Sequence, residues 1–408
     1  MKKFTAATLL LSCILTLTAC NRISAKNLMD GIGRSSSGAA EVTHTEAVTD
    51  FAVELFKASS NDGENTLISP LSVLCALSMT ANGAAGNTLD ELEAALMLDA
   101  DELNSFIVAY TKALPRSAEY KLNIANSIWF TDDERFTVKG DFLQTNADFY
   151  GADIYKAPFD STTKNDINFW VSEKTDGMIK NMLDDIPSDA VMYLVNALAF
   201  DAEWENIYYD HQVKKSTFTN GDSEKQKVHF MYSDEYGYLE DESAKGFIKY
   251  YYDRKYAFVA MLPNEEISVS DYVNGLTGSH LADLLSSPLP VTVETAIPKF
   301  EFGYSVEMSE TLNNMGITDA FDPIAADFSR LGSSAAGNIF INRVLHKTYI
   351  GVNERGTRAG AATIVEMADG AMAITEEPRR VYLDRPFIFM IIDCEHRIPV
   401  FMGTVSEV

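Results

Sequence analysis

Apolar and polar positions alternate along this chain in two different rhythms. From 45 to 59, Val48, Phe51, Ala52, Leu55 and Phe56 recur with helical spacing and predict an amphipathic helix. Residues 72–81 are apolar nearly all round, which predicts a helix buried on every side. Asn87-Thr88 ahead of Leu89-Asp90-Glu91 predicts a capped helix start with acids in its first turn, and 166–182 predicts a further amphipathic helix. Strand-like runs lie at 124–130 and 191–200. Beyond them the chain turns strand-rich, with β-branched and aromatic runs at 257–262, 291–302, 338–352 and 387–393 bounded by Pro, Gly or charge. Helices mixed with long, partly segregated strands predict an α+β fold with more than one sheet. One stretch, 356–385, is poor in the aromatic packing residues of its neighbours over 30 residues, and loops of that length are usually functional.

The N-terminus follows neither rhythm. Lys2 and Lys3 precede an uncharged, mostly apolar run at 4–19, short for a membrane span and suited to an export signal. It ends in L-T-A-C at 17–20, which resembles the lipobox of bacterial lipoproteins, so 1–19 is expected to be removed and Cys20 acylated; an ordinary signal peptide is the alternative. Residues 20–44, rich in Ser, Gly, Asn and Ala, are expected to be a flexible tether. The folded body would then be 45–408. Cys75 and Cys394 lie in apolar runs and are expected to be buried free thiols, with one disulfide between them allowed but not argued for by spacing.

Charge removes some classes of function. With 33 Lys+Arg against 59 Asp+Glu, the formal net charge is −26 and the isoelectric point about 4.5. Such a chain repels nucleic acid and anionic lipid, leaving the N-terminal anchor as its expected membrane contact. No H-E-x-x-H, Walker A, G-x-G-x-x-G or G-x-S-x-G occurs, and the six His have no helical metal-ligand spacing, so neither enzyme, metal nor cofactor is expected. S-T-T-K at 161–164 matches the S-x-x-K of penicillin-recognising enzymes, but no K-T-G accompanies it; a solvated helix start is expected there.

Several separated motifs, N-T-L-I-S-P-L-S at 65–72, L-V-N-A-L-A-F-D-A-E-W at 194–204, P-K-F at 298–300, D-R-P-F-I-F at 384–389 and F-M-G-T-V at 401–405, occur in an order and spacing that resemble the serpin family. The resemblance runs from about Thr45 to the C-terminus. It implies three β-sheets, about nine helices and an exposed reactive-centre loop at about 356–380, entered through the hinge V-N-E-R-G-T-R-A-G-A-A-T at 352–363. It implies suicide inhibition: a serine protease cleaves the loop, is held as an acyl-enzyme, and is dragged away as the loop inserts into the main sheet. Glu354, Gly356, Thr357, Ala359, Ala361, Ala362 and Thr363 match the hinge and inserting segment. Ser69, Ser72, Asn196 and His346 match the polar cluster beneath the opening strands, Trp204 the tryptophan at the sheet's upper end, and Glu354 with Lys299 a hinge ion pair. Arg355 stands where an acidic residue is common, and Gly360 interrupts the usual Ala run.

Insertion makes a demand that these residues meet. In a strand starting at Thr357, one face carries Thr357, Ala359, Ala361, Thr363, Val365 and Met367, all uncharged, and the other takes both Arg358 and Glu366. No Pro occurs between 357 and 377, so each amide can join a ladder. Family spacing counted from Gly356 puts cleavage after Gly370, and counting back from Pro386-Phe387 gives Thr375. The window 370–375 favours Ala371 and Met372, small or unbranched residues suited to elastase- or subtilisin-type pockets. Cleavage after Asp369 is the other candidate, and Arg379 and Arg380 lie too near the anchoring strand for a trypsin-like target. The region at 87–101 is acidic, so polyanion activation is not expected. The expected protein is therefore an exported, surface-anchored, monomeric inhibitor of an extracellular serine protease. A non-inhibitory serpin-fold binding or structural protein is the alternative.

Overall fold

The computed structural model describes residues 23–34, 41–115, 117, 119–187, 190–335, 337–357 and 378–408. Elements are numbered in chain order. The main sheet has seven strands, in the order β1 (Lys26–Asn27), β5 (Asp153–Ala157), β3 (Tyr120–Thr131), β6 (Met192–Glu203), β15 (Gly356–Thr357), β14 (Arg343–Val352) and β12 (Phe300–Glu307). A nine-stranded sheet runs β16 (Arg379–Tyr382), β11 (Leu289–Pro298), β8 (Lys225–Glu240), β9 (Ala244–Tyr250), β10 (Tyr256–Pro263), β17 (Phe387–Asp393), β18 (Ile398–Val405) and β2 (Thr66–Ile68), with β7 (Val213–Thr219) against β8. Its long strand β8 joins two wings, pairing with β7 and β11 over most of its length and with β9 only at Tyr238–Glu240. A third, two-stranded sheet pairs β13 (Gly332–Ser334) with β4 (Phe136–Val138).

Nine α-helices complete the described residues: α1 (Thr45–Ser59), α2 (Pro70–Ala81), α3 (Gly86–Leu96), α4 (Ala100–Ala113), α5 (Gly140–Tyr150), α6 (Ser161–Lys174), α7 (Val269–Gly275), α8 (Gly278–Ser286) and α9 (Ser309–Asn314). Helix α1 has the expected bounds and buries its apolar stripe. Helix α2 is buried at every position because it lies between β3 and β6 on one side and β18 on the other. It starts two residues earlier than its apolar run, at Pro70, whose fixed φ and missing N–H suit a first helical position.

Other expectations shift for tertiary reasons. Helix α3 begins at Gly86, not after Asn87-Thr88, and Thr88 Oγ1 instead accepts from the distant Asp327 N–H at 2.9 Å. Helix α6 runs 161–174 rather than 166–182: Asp160 caps it by accepting from the Thr162 and Thr163 amides, and Asp176 and Gly177 at positive φ end it. Ser161 is its first residue and Lys164 bonds the Asp184 carbonyl at 3.3 Å, so S-T-T-K is a helix start. The run 291–302 splits at Lys299 into β11 and β12, which belong to different sheets. The run 338–352 forms strand only from Arg343. Cys75 is buried and Cys394 half-buried, both as free thiols, and burial pushes each up to about 12.

The tether expected at 20–44 is not a tether over residues 23–34. Lys26 and Asn27 pair with Lys156 and Tyr155 at the edge of the main sheet, and the Leu28 amide bonds the Ile154 carbonyl at 2.8 Å. Asp166 on α6 accepts from the Ser24 amide, the Ser24 hydroxyl and the Ala25 amide at 2.7–2.9 Å. Composition hid this, since an edge strand of two residues has no readable period and its partners lie far along the chain.

Candidate functional site

The site is the line along which β6 and β14 part. The two strands pair directly and in parallel from Tyr193–Ala197 to Arg343–Lys347. Above that they diverge, and the space at the top is occupied by β15. After Val352 the chain reverses through Asn353, Glu354 and Arg355. Gly356 and Thr357 then pair antiparallel with Glu203 and Ala202 of β6, and Thr357 with Val352 of β14. Gly356 is required here by contact: a Cβ at this position would lie 1.9 Å from the Ala202 carbonyl oxygen.

The reversal is held from several sides. The Asn353 amide bonds the Gly356 carbonyl at 3.0 Å, and the backbone amides of Trp204 and Tyr208 bond the Arg355 and Glu354 carbonyls at 2.8 Å. The Trp204 indole N–H donates to the Asn353 carbonyl at 2.8 Å, and its ring stacks on Tyr251 at 4.4 Å. Lys299 bonds Glu354 at 2.6 Å, the pair expected for the hinge. Burial works to raise the Glu354 carboxyl, but the Lys299 ammonium and a backbone amide outweigh it and the net shift is downward. Both side chains are about one-third exposed, so the pair contributes only ~0–1 kcal/mol. Arg355, unusual by sequence, pairs with Glu203 of β6 at 2.9 Å and so ties the turn to the strand it enters beside.

Thr357 sets the parity. Its side chain is 2 % exposed and its hydroxyl hydrogen-bonds the buried Tyr251 hydroxyl beneath the sheet. With a period of two, the residues in register with Thr357 are those of the uncharged face. Of the residues singled out by sequence, Ala359, Ala361, Ala362, Thr363, Asp369, Gly370, Ala371, Met372 and the N-terminal 1–19 with Cys20 lie outside the described residues.

Lower down, the structure brings Ser69, Ser72, Asn196 and His346 together, with one residue sequence reasoning missed. Asn126, Asn196 and His346 form a single row across β3, β6 and β14. The Asn196 amide donates to Asn126 Oδ1 and to the Ser72 carbonyl, and the Ser72 hydroxyl donates to Asn196 Oδ1. The Ser69 amide donates to His346 Nε2 at 3.1 Å, so this ring nitrogen is unprotonated. Burial alone pushes His346 down to about 4. It is a neutral acceptor, not a base beside a nucleophile. The signal for Asn126 was present: an amide opening the buried stretch of a strand, ahead of Ser127, Ile128, Trp129 and Phe130, needs a partner. The row lies within the directly paired part of β6 and β14, so any strand entering further between them must part the backbone pairing there and separate His346 from Asn196, whose own partners, Ser69 for His346 and Ser72 and Asn126 for Asn196, lie to either side of that seam.

Comparisons with known proteins agree with this architecture. The family model described as Serpin (serine protease inhibitor) matches residues 46–408. The leukocyte elastase inhibitor of Bos taurus is 30% identical over 389 residues, covering 88% of this chain and 98% of the relative. The crystal structure of tengpin, a thermophilic serpin, in its native state superposes with a TM-score of 0.90 at 47% identity, covering 94% of this chain and 100% of that one. The same protein in its latent state gives 0.80 at 46% identity, with coverage of 92% and 100%. A match across nearly the whole body, with the sheet order and the β6–β14 parting described above, establishes that the chain belongs to the serpin family.

Proposed function

We propose that this protein inhibits a serine protease as a suicide substrate, trapping it covalently while the cleaved loop enters the main sheet between β6 and β14. The observation that carries the reading is Thr357: it already sits in the gap as the second residue of β15, with its side chain inward. That parity sends Ala359, Ala361, Thr363, Val365 and Met367 to the buried face and Arg358 and Glu366 outward. Burying the opposite face would desolvate two unpaired charges, a cost of several kcal/mol each. Burying this one costs none.

The elastase or subtilisin class of target is supported by the small and unbranched residues at 370–375 and by the name of the bovine relative. The residue before the scissile bond is taken from Gly370, Ala371 and Met372, with Asp369 as the outlying candidate. Export and attachment of a monomer through an acylated Cys20 complete the reading, supported by L-T-A-C behind the apolar run.

The test is to mix the chain from Asn21 onward with neutrophil elastase and run denaturing gels with intact-mass analysis. A complex that survives denaturant supports trapping, and the mass of the released C-terminal peptide locates the bond. If the loop is cleaved without a complex, the cleaved protein is heated. A large gain in thermal stability keeps insertion and assigns the failure to the protease; no gain favours the non-inhibitory reading.

A further inference from the structure

Strand β8 leaves β9 at the pairing of Tyr238 with Phe247, and the fork between them holds a buried ion pair. Glu235 stands on β8 three residues before that point, Lys249 on β9 two residues beyond it, and their side chains meet at 2.6 Å. Lys249 is 1 % exposed and Glu235 8 %. The other contacts of the ammonium all go to one short segment. Nζ donates to the Asn206 carbonyl at 3.3 Å and lies 4.5 Å from the Tyr208 ring centre and 5.4 Å from that of Trp204. The Ser233 hydroxyl, 2.6 Å from Glu235 Oε1, is 3.2 Å from the Tyr208 hydroxyl. Burial works to strip the Lys249 proton, but the contacts with Glu235 and Tyr208 outweigh it and the net shift is upward, so the pair is ionic. Segment 204–208 is also the one that grips the reversal: the Trp204 and Tyr208 amides bond the Arg355 and Glu354 carbonyls, while the Glu205 amide bonds the carbonyl of Tyr250, next to Lys249.

We propose that Lys249, paired with Glu235, is a positioning residue for loop entry: its ammonium orients Trp204 and Tyr208 so that their backbone amides hold the turn about which the loop enters the main sheet. The inference rests on the inhibitory reading above. Stability does not account for the pair. Taking two charges out of water is expensive, and replacing a buried ion pair by apolar side chains of similar volume is often neutral or stabilising. What an ammonium supplies and a hydrocarbon does not is direction, toward ring faces, a carbonyl oxygen and a carboxylate at set geometries. Apart from Glu235, the contacts named above direct it at residues 204–208. The turn at 353–355 already joins β14 to β15, and loop entry would lengthen β15 from that same turn. A turn held in place is therefore formed ahead of the race between insertion and release of the protease.

The test compares the full-length chain with a double variant, Lys249→Met with Glu235→Leu. Four quantities are measured: thermal midpoint, backbone hydrogen exchange, the second-order rate of complex formation with neutrophil elastase, and the stoichiometry of inhibition. The apolar pair is expected to leave the midpoint at or above that of the wild type and the association rate unchanged. Exchange at the Trp204 and Tyr208 amides is expected to quicken about fivefold, with no change at the β10–β17 pairs, and stoichiometry to rise at least about threefold as insertion lags behind release. Glu235→Gln keeps an oxygen acceptor for Lys249 and nearly the same shape. It should move exchange and stoichiometry the same way by a smaller factor, and it carries the test if the double variant does not fold. A lowered midpoint with exchange and stoichiometry unchanged would make the pair a structural contact only and overturn the proposal. Faster exchange with unchanged stoichiometry would overturn the part in loop entry while inhibition stands. A wild type that traps neither elastase nor subtilisin would remove the inhibitory reading and that part with it, and exchange would still decide whether Lys249 holds the turn.

Discussion

The indole N–H of Trp204 donates to the carbonyl of Asn353 across 2.8 Å, joining the residue just past the end of β6 to the reversal that returns the chain to the sheet as β15. Trp204 is 2 % exposed, and its ring is sandwiched against Tyr251 and Phe258. Trp204→Phe keeps most of the packing and removes the donor. It should cost about 1 kcal/mol and speed hydrogen exchange at the Trp204-position and Tyr208 backbone amides, which bond Arg355 and Glu354. Unchanged exchange there would mean that the reversal is held without the indole.

Thr357→Arg tests parity. A guanidinium would replace a side chain that is buried against Tyr251, at the first side-chain-bearing position of β15. Entry should be slowed relative to deacylation, so the protease escapes with product: stoichiometry of inhibition is expected to rise by at least about fivefold while the loop is still cleaved. Arg358→Thr, on the face that the proposed insertion leaves outward, should leave the stoichiometry near wild type.

His346 makes stability depend on pH. The native state holds its ring neutral, with a pKa lowered from 6.5 to about 4 by burial, so the unfolded chain takes up the proton first. This stabilisation is complete above pH 6.5 and is lost as pH falls toward 4, about 3 kcal/mol in all at 1.36 kcal/mol per unit. His346→Gln retains an acceptor for the Ser69 amide but cannot titrate. Its thermal midpoint should fall less than that of the wild type between pH 7 and pH 5. Parallel curves would assign the acid sensitivity elsewhere.

Asp166→Ala removes the acceptor for three donors of Ser24 and Ala25. Residues 23–34 should then detach before the body unfolds, seen as faster exchange of the Leu28 amide and earlier proteolytic nicking in that segment. The loss is expected to be about 1–3 kcal/mol, since hydrogen bonds to a charged acceptor are the stronger kind. No change would show that the strand pairing of Lys26 and Asn27 is sufficient by itself.

What the sequence determined by itself is what depends on near neighbours. The stripe of α1, the all-round apolarity of α2 and the bounds of β17 are local periods, readable because the side chains that pattern them lie within one or two turns or pleats. The two faces of the loop are legible for the same reason: a strand's parity is a property of its own residues. The ordered motifs from Asn65 to Val405 carried the fold class, and the resemblance they support implied the polar residues Ser69, Ser72, Asn196 and His346 and the hinge pair, though not Asn126.

Only tertiary structure decided the matters whose partners lie far apart. Ser24 finds Asp166 142 residues away, which no composition of a Ser- and Gly-rich segment foretells. Arg355 looks like a departure until Glu203 is seen beside it, and Asn126 looks like an intrusion until it stands in a row with Asn196 and His346. That the Thr357 side chain faces inward was also a tertiary decision. It turns on whether the reversal after Val352 brings Thr357 or its neighbour over Tyr251, and a shift of one residue would exchange the faces. Local chemistry wrote both options into the chain, and packing against residues a hundred positions away chose between them.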